Sequence, residues 1–336
     1  MTQIKLEEVN IDDLCDDRPL STNEIFNGNA FYGVDRVLKE YTGLPASYSL
    51  KGVWPHGLTF SKSHIWSAEA DSPLPVAFCY PEFRAPVYAE KASKKVILSA
   101  SPFVYAYDQV APHPSKREGT IFFPAHSTHH VTAEMNFQGL ADKLESLDDR
   151  YRPVTVCMYW KDYLMGRHAI FEERGFPIVS AGHMFDDEFL YRLARLLGRF
   201  QFAAGNGMGS HIMYATYAGC QYFHIEGSYE LTSENKEDYE RDVVSFDSSI
   251  KEKIQSIFFA PEPRQRKQQL SAAKYFLGER YKKTPAKLRS DFLRAEVLDK
   301  VMLSKESKDR LTDYVPFFWK RKVLSRLSKL KHKLLA

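Results

Sequence analysis

The chain has 336 residues, of which 44% are hydrophobic and 26% charged, with a formal net charge of +3. Such a balance excludes a disordered chain, and the length exceeds what one ordinary hydrophobic core serves, so one large or two medium domains are expected. Aromatic residues make up 14%, which suits either a wide cleft or a thick aromatic core.

The charge is unevenly spread. The segment from Trp319 to Ala336 carries seven cations (Lys320, Arg321, Lys322, Arg326, Lys329, Lys331, Lys333) and no acid, leaving 39 basic against 43 acidic residues in the rest of the chain. The body is thus a poor partner for nucleic acid, and the tail is a separate device. In it Val323, Leu327, Leu330 and Leu334 fall on one helical face behind Phe317, Phe318 and Trp319, the pattern of a basic amphipathic helix lying on an anionic membrane surface. No run of about 18 apolar residues spans a bilayer. The acidic start, MTQIKLEEVNIDDLCDD, lacks the regions of a signal peptide. Cys15, Cys79, Cys157 and Cys220 are too scattered for a zinc site or a disulfide framework, so a reducing cytoplasm is expected.

In chain order, VAFCY (76–80) and KKVILSASP (94–102) read as buried strands, and 112–119, with Pro112, Pro114 and a charged run, reads as a linker. GTIFFPAHSTHH (119–130) is an apolar run turning into a polar loop, followed by a helix over 137–147. A strand at 153–160 leads through a loop at KDYLMG into a helix closed by Gly175. A strand at 176–182, a helix at 187–198, a strand at 200–206, a helix at 210–219 and a strand at 220–227 complete the alternation, and helices fill about 235–318. Short apolar strands between helices predict a parallel sheet whose ligands bind at the carboxyl ends of its strands.

Every unusual polar cluster of this half follows a strand. His126, Ser127, Thr128, His129 and His130 come first, then Gly182-His183, then Gly205-Asn206-Gly207-Met208-Gly209-Ser210-His211 opening a helix, then Glu226. Gly209 and Ser210 suit a phosphate, since glycine permits close approach and a helix start offers free N–H groups and a positive dipole end; an ordinary turn capped by Ser210 is the alternative. Imidazoles and hydroxyls at 126–129 suit a phosphate or sugar better than a metal, because no carboxylate or cysteine joins them. His183 and Glu226 are candidates for nucleobase, ribose or sugar. In the first half, the turn Trp54-Pro55-His56-Gly57 presents His56 as a general base near neutral pH, with Glu82 as its rival. There is no Asp-x-Asp clamp for a metal–nucleotide complex and no Gly-x-Ser-x-Gly elbow.

FFPAHSTHH, VTVCMYWKD, FPIVSAGHMFDDEFLYRL and AAGNGMGSHIMYATYAG resemble bacterial glycosyltransferase-like proteins of surface-polysaccharide gene clusters. The likeness covers about 119–227, more loosely 45–110 and the closing helices. It implies the GT-B architecture, two Rossmann-like domains facing across a cleft with C-terminal helices. The C-terminal half then holds a nucleotide-sugar donor, its phosphate at Gly209 and Ser210. The glycan or lipid-linked acceptor enters from the N-terminal half, and no metal or other cofactor is needed. The Trp-Pro-His-Gly turn is similar to the Trp-His-Gly segment of teichoic-acid polymerases, whose His is proposed as base, with a proline inserted here.

The expected organisation is an acceptor-side domain (1–115), a donor-binding domain (116–290), closing helices (291–318) and the basic tail (319–336) at the inner face of the cell membrane. The expected activity is sugar transfer to a growing lipopolysaccharide, O-antigen or capsule glycan. A nucleotide- or glycan-binding protein without catalysis, and a nucleotide-sugar epimerase or phosphotransferase, are the alternatives, because fold alone does not fix function.

Overall fold

A computed structural model describes residues 10–55, 57–110, 116–128, 131–233 and 246–312, with side chains to residue 302. The expected helix at the start of 235–318 falls mostly outside these residues, as do the Pro112/Pro114 stretch and the basic tail. The chain is a mixed α/β protein with two parallel sheets.

The first sheet has three strands, β1 (Gly52–Val53), β2 (Val76–Cys79) and β3 (Lys95–Leu98), in that spatial order. Around them lie α2 (Val34–Thr42), α3 (Ser67–Asp71), α4 (Ala85–Lys91) and α5 (Pro102–Gln109), whereas α1 (Ile11–Cys15) packs on the second part, where the Tyr163 hydroxyl donates to Asp12 at 2.6 Å and the Leu14 carbonyl accepts the His183 N–H at 2.8 Å. Val76, Ala77, Phe78 and Cys79 are all buried, which is why β2 reads as an unbroken apolar run.

The second part runs through β4 (Thr120–Phe123), β5 (Thr132–Met135), β6 (Val154–Cys157), β7 (Ile178–Val179), β8 (Phe202–Gly205), β9 (Gln221–His224) and β10 (Tyr229–Thr232). Its helices are α6 (Phe137–Glu145), α7 (Trp160–Leu164), α8 (Ala169–Glu172), α9 (Phe189–Leu197) and α10 (Ser210–Tyr217), followed by α11 (Ser248–Phe258), α12 (Arg266–Phe276) and α13 (Pro285–Thr312). Five strands form one parallel sheet in the order β7-β6-β4-β8-β9. Counted in chain order they lie 3-2-1-4-5 across it, an order compatible with a Rossmann-like fold. The reversal falls between β4 and β8, the position at which open α/β sheets bind ligands outside the carboxyl ends of their strands.

Several details depart from the sequence reading: β3, expected as a buried strand over 94–102, ends at Leu98 and is half-buried along its length, and the strand expected over 176–182 is only Ile178–Val179. The strand expected over 153–160 ends at Cys157, and the expected KDYLMG loop is instead the helix α7. Residues 132–135 and 229–232 pair antiparallel as β5 and β10 beside the main sheet, half-exposed and polar on alternate residues.

The apolar core continues from one sheet to the other through α2, α5, α9 and α10. Phe103 of α5 stacks on Tyr214 of α10 at 4.3 Å, and Tyr32 lies 4.7 Å from Phe189 of α9. Polar contacts follow the same line: Tyr191 donates to Glu40 at 2.7 Å, and Arg36 bridges Asp187 (3.1 Å) and Glu188. Two consecutive residues here take left-handed backbone, Tyr32 (φ 60°) and Gly33 (φ 72°). A Cβ on Gly33 would stand 2.0 Å from the Asp187 carbonyl oxygen. Gly33→Ala therefore combines an unfavourable φ with a backbone clash at the junction of the two parts. A loss of roughly 3 kcal/mol or more is expected in urea denaturation.

Candidate functional site

A cavity of about 990 Å³ lies between the two parts. Its second-part wall comes from the loop after β4 (Pro124, Ala125, His126, Thr128), the loop after β8 (Gly207, Met208, Gly209, Ser210) and His211 of α10. The loops after β6 and β7 add Met158, Tyr159 and Gly182, and Tyr229 and Leu231 close one side. The first part contributes Phe31, Tyr32, Gly57, Leu58, Trp66, Glu69 and Asp71 among others. Carboxylates thus stand on the first-part wall, and imidazoles with a helix start on the second.

The loop after β4 is pinned from behind. Buried Asp162 of α7 accepts the Ser127 N–H at 2.9 Å and the Ser127 hydroxyl at 2.8 Å, and pairs with Arg167 at 2.7 Å. Ser127 Oγ in turn accepts the Ala133 N–H at 3.1 Å, joining the loop to β5. Asn206 completes the crevice by accepting the Ala125 N–H at 2.7 Å, which ties the β4 loop to the β8 loop. With its inner side committed, the loop turns His126 outward, where the ring stacks on Tyr159 at 4.4 Å. Tyr159 also meets the Tyr32 hydroxyl at 3.3 Å, so the strained Tyr32 reaches the same wall from the other part.

Across the cavity, Ser210 Oγ accepts the Leu58 N–H at 2.8 Å. Gly57 is beside it, since a Cβ there would lie 3.1 Å from the same oxygen. The turn after β1 therefore sits directly over the start of α10. Gly209, the N-cap of α10, supplies no side chain to the first-turn N–H groups.

His211 lies against this start, stacked on Phe123 at 5.1 Å. Its Nε2 and the Tyr222 hydroxyl are buried without hydrogen-bond partners among the described residues. A Cβ on Gly205 would meet both, at 2.9 and 2.8 Å, so only glycine fits beneath them. Burial, helped by His126 and His224, holds the His211 imidazole down to about 3, and it is neutral at neutral pH. Opposite, burial raises the Glu69 carboxyl to about 7; it accepts the Tyr88 hydroxyl at 2.6 Å, and its other oxygen is buried without a hydrogen-bond partner among the described residues.

Of the residues expected from sequence, His126, Thr128, Gly209, Ser210 and His211 meet in the cavity wall. Ser127 and Asn206 stand behind it and shape the loops. His183 is buried against Trp160 at 4.0 Å, with Nδ1 accepting the Phe185 N–H at 3.1 Å and Nε2 facing Asp17 at 3.5 Å. Glu226 is exposed, and its carbonyl accepts Lys143 at 2.6 Å. Glu82 is held by the Tyr281 hydroxyl and by Arg280 at 3.4 Å. Neither of these two glutamates nor His183 is in the cavity wall. His56 and His129 lie outside the described residues. Tyr32, Tyr159 and Glu69 were missed. The aromatic excess was the signal for the tyrosines, and nothing near Glu69 marked it.

Among the described residues, no cluster of three or more His, Cys, Asp or Glu is placed to hold a metal ion. No protein-family model matches the chain, and no curated protein sequence matches it either.

His211 gives the site a measurable pH signature. Its folded pKa lies below the ordinary value near 6.5, so between pH 6.5 and about 3 the unfolded chain binds the extra proton and stability falls as pH falls. Each unit of pH in that window costs about 1.4 kcal/mol from this residue. In urea titrations at pH 7 and pH 5, wild type should lose about 2 kcal/mol more than His211→Phe. Equal losses would show that this ring titrates normally.

Proposed function

We propose that the protein transfers a sugar from a nucleotide-sugar donor to an acceptor hydroxyl of a cell-surface glycan, on a GT-B-like arrangement of its two parallel sheets. The observation that carries this reading is the contact of Leu58 with Ser210. It brings the turn after β1 over the glycine–serine start of α10, at the edge of the crevice where the strand order reverses. A phosphate in that crevice meets the first-turn N–H groups of α10, the Ser210 hydroxyl and His126. The aromatic walls at Tyr32, Tyr159 and Tyr229 suit a base or sugar ring.

In the reaction, the acceptor oxygen attacks the anomeric carbon and its proton passes to a base. The bond from that carbon to the phosphate oxygen breaks, and the nucleotide departs with the electron pair. His56 is the proposed base, because its neighbours Gly57 and Leu58 lie at Ser210. The departing phosphate gains its stabilisation from groups already in place at α10, the electrostatic part of the catalysis. Neutral His211 adds a donor or acceptor without a charge that would hold the product. No resident metal or cofactor is assigned. Among the described residues no helix is long and apolar enough to cross a membrane. A cytoplasmic location at the inner membrane face, with the tail 319–336 on anionic lipid, belongs to the same proposal.

The first test is thermal unfolding with a panel of UDP-, GDP-, CMP- and dTDP-sugars, where a ligand at about 100 times its dissociation constant adds about 2.7 kcal/mol. Gly209→Val should then lower donor affinity by about 100-fold or more, because the branched side chain occupies the phosphate's approach and presses on the His211 ring, 3.0 Å from a Cβ there. Donor binding unchanged by that variant would remove the phosphate from α10. His56→Ala should lower turnover by about 10²–10⁴ while leaving donor binding nearly intact. Donor hydrolysis without acceptor separates transfer from binding alone, and product analysis separates it from epimerisation.

A further inference from the structure

The helix α13 packs on the first sheet by one face and, among its described side chains, exposes apolar residues on another. Leu288, Phe292 and Ala295 are buried, and Phe292 meets Phe78 at 5.3 Å and Trp54 at 6.3 Å, both edge-on. On the opposite face Leu293, Val297 and Val301 are 47%, 44% and 42% exposed. These three are spaced i, i+4 and i+8, which makes one stripe along the helix.

Cations line both margins of that stripe. At 100° per residue, Arg289 and Lys300 fall on one side of it, Lys287 and Arg294 on the other, and all four are exposed. The acids of the same segment are covered: Asp299 is buried, Asp291 is held by Lys283 and Lys287 at 2.6 and 3.0 Å, and Glu296 holds Tyr48 and Lys300, so among the described residues Arg289 and Arg294 are the margin cations without a carboxylate on them. Among the described side chains of α13, no carboxylate is exposed. The face is therefore apolar along its centre with an exposed arginine on each margin, Arg289 and Arg294.

We infer that this face of α13 is a docking surface for an anionic lipid bilayer. Apolar residues enter the headgroup boundary while the flanking cations meet lipid phosphates, the arrangement of an interfacial amphipathic helix. A second copy of the chain fits less well. A two-fold pair would set the same cations against each other with no exposed carboxylate on either side to offset them. The surface also continues in sequence toward the basic segment 319–336, giving the bilayer a second cationic contact. Because Phe292 packs on Trp54, two residues before His56, docking would fix the acceptor-side wall of the cavity relative to the lipid. The surface itself stands independently of the sugar-transfer reading.

The experiment uses the full chain with Ser290→Cys, labelled with a polarity-sensitive fluorophore. Ser290 is exposed beside the stripe, and Cys15, Cys79, Cys157 and Cys220 are all buried, so labelling is selective. With vesicles of phosphatidylcholine containing about 30% phosphatidylglycerol, the emission should shift to the blue and brighten several-fold. Pure phosphatidylcholine should give no response, and high salt should reverse the change. Arg289→Glu with Arg294→Glu should weaken partitioning on the order of tenfold or more, and Val297→Glu should do likewise at an exposed site that leaves the fold intact. Vesicle binding with an unchanged spectrum would assign the contact to another segment and overturn the proposal. So would a spectral change that appears without lipid and grows with protein concentration, which marks a second copy. Absence of vesicle binding overturns it too.

Discussion

A buried carboxylate is costly unless its bonds are satisfied, and Asp162 is satisfied by the groups that shape the cavity. Its oxygens take the Ser127 N–H, the Ser127 hydroxyl and the Arg167 guanidinium, all within 2.9 Å. Burying this pair is weak evidence of net stabilisation, whereas removing one partner leaves an uncompensated charge. The loop is thereby held from behind: Ser127 gives Asp162 two of its three hydrogen bonds among the described residues, and Arg167 joins the same carboxylate to Glu134 of β5 at 2.9 Å. What the network achieves is a fixed course for residues 124–128, so that His126 faces outward while Ala125 reaches Asn206 on the neighbouring strand's loop.

This arrangement explains how much of the molecule could be read from sequence. The strands at 76–79, 120–123, 154–157 and 202–205 are buried on both faces, and continuous burial writes itself as uninterrupted apolar residues. Helix α9 was equally plain, with Leu190, Leu193, Ala194 and Leu197 turned to the core and charges turned out. The two-residue β1 was invisible, because Gly52 and Val53 gain their strand character from pairing with Val76 and Ala77. Strands β5 and β10 were missed for a similar reason: they are half-exposed, with Glu134 and Glu230 paired in register on polar positions. Helix α7 was hidden by Tyr159-Trp160-Lys161-Asp162, whose aromatics read as the end of a strand.

The site was legible at the level of loops and less so at the level of side chains. Chain order placed polar residues after each strand, and a parallel sheet necessarily gathers those loops at one edge. Which residue of a loop turns inward depends on bonds that sequence does not display. Ser127 looked like a ligand donor because serine and threonine sit among histidines there, yet its hydroxyl answers Asp162, 35 residues away. His183 follows the same rule, enclosed by Trp160 and Phe185. Glu69 failed in the other direction. Nothing in Ser67–Asp71 distinguishes a solvated helix acid from one whose carboxyl is raised to about 7 by burial against Tyr88.

The distribution of charge across the cavity bears on how such a site would work. The carboxylates of Glu69 and Asp71 belong to the first part, and the histidines and the start of α10 belong to the second. An anion entering this space would be disfavoured by Asp71 on one wall and favoured by the start of α10 on the other. A group carrying hydroxyls meets the reverse preference, because carboxylates accept the O–H bonds that an anion cannot offer. His211 adds no charge to this wall, because burial keeps its imidazole neutral. The steric constraint at Gly205, where a side chain would strike both His211 and Tyr222, keeps that ring buried and hence uncharged. Packing beneath the sheet edge thus sets the electrostatics above it, which makes Gly205 as much a determinant of the site as the residues facing the cavity.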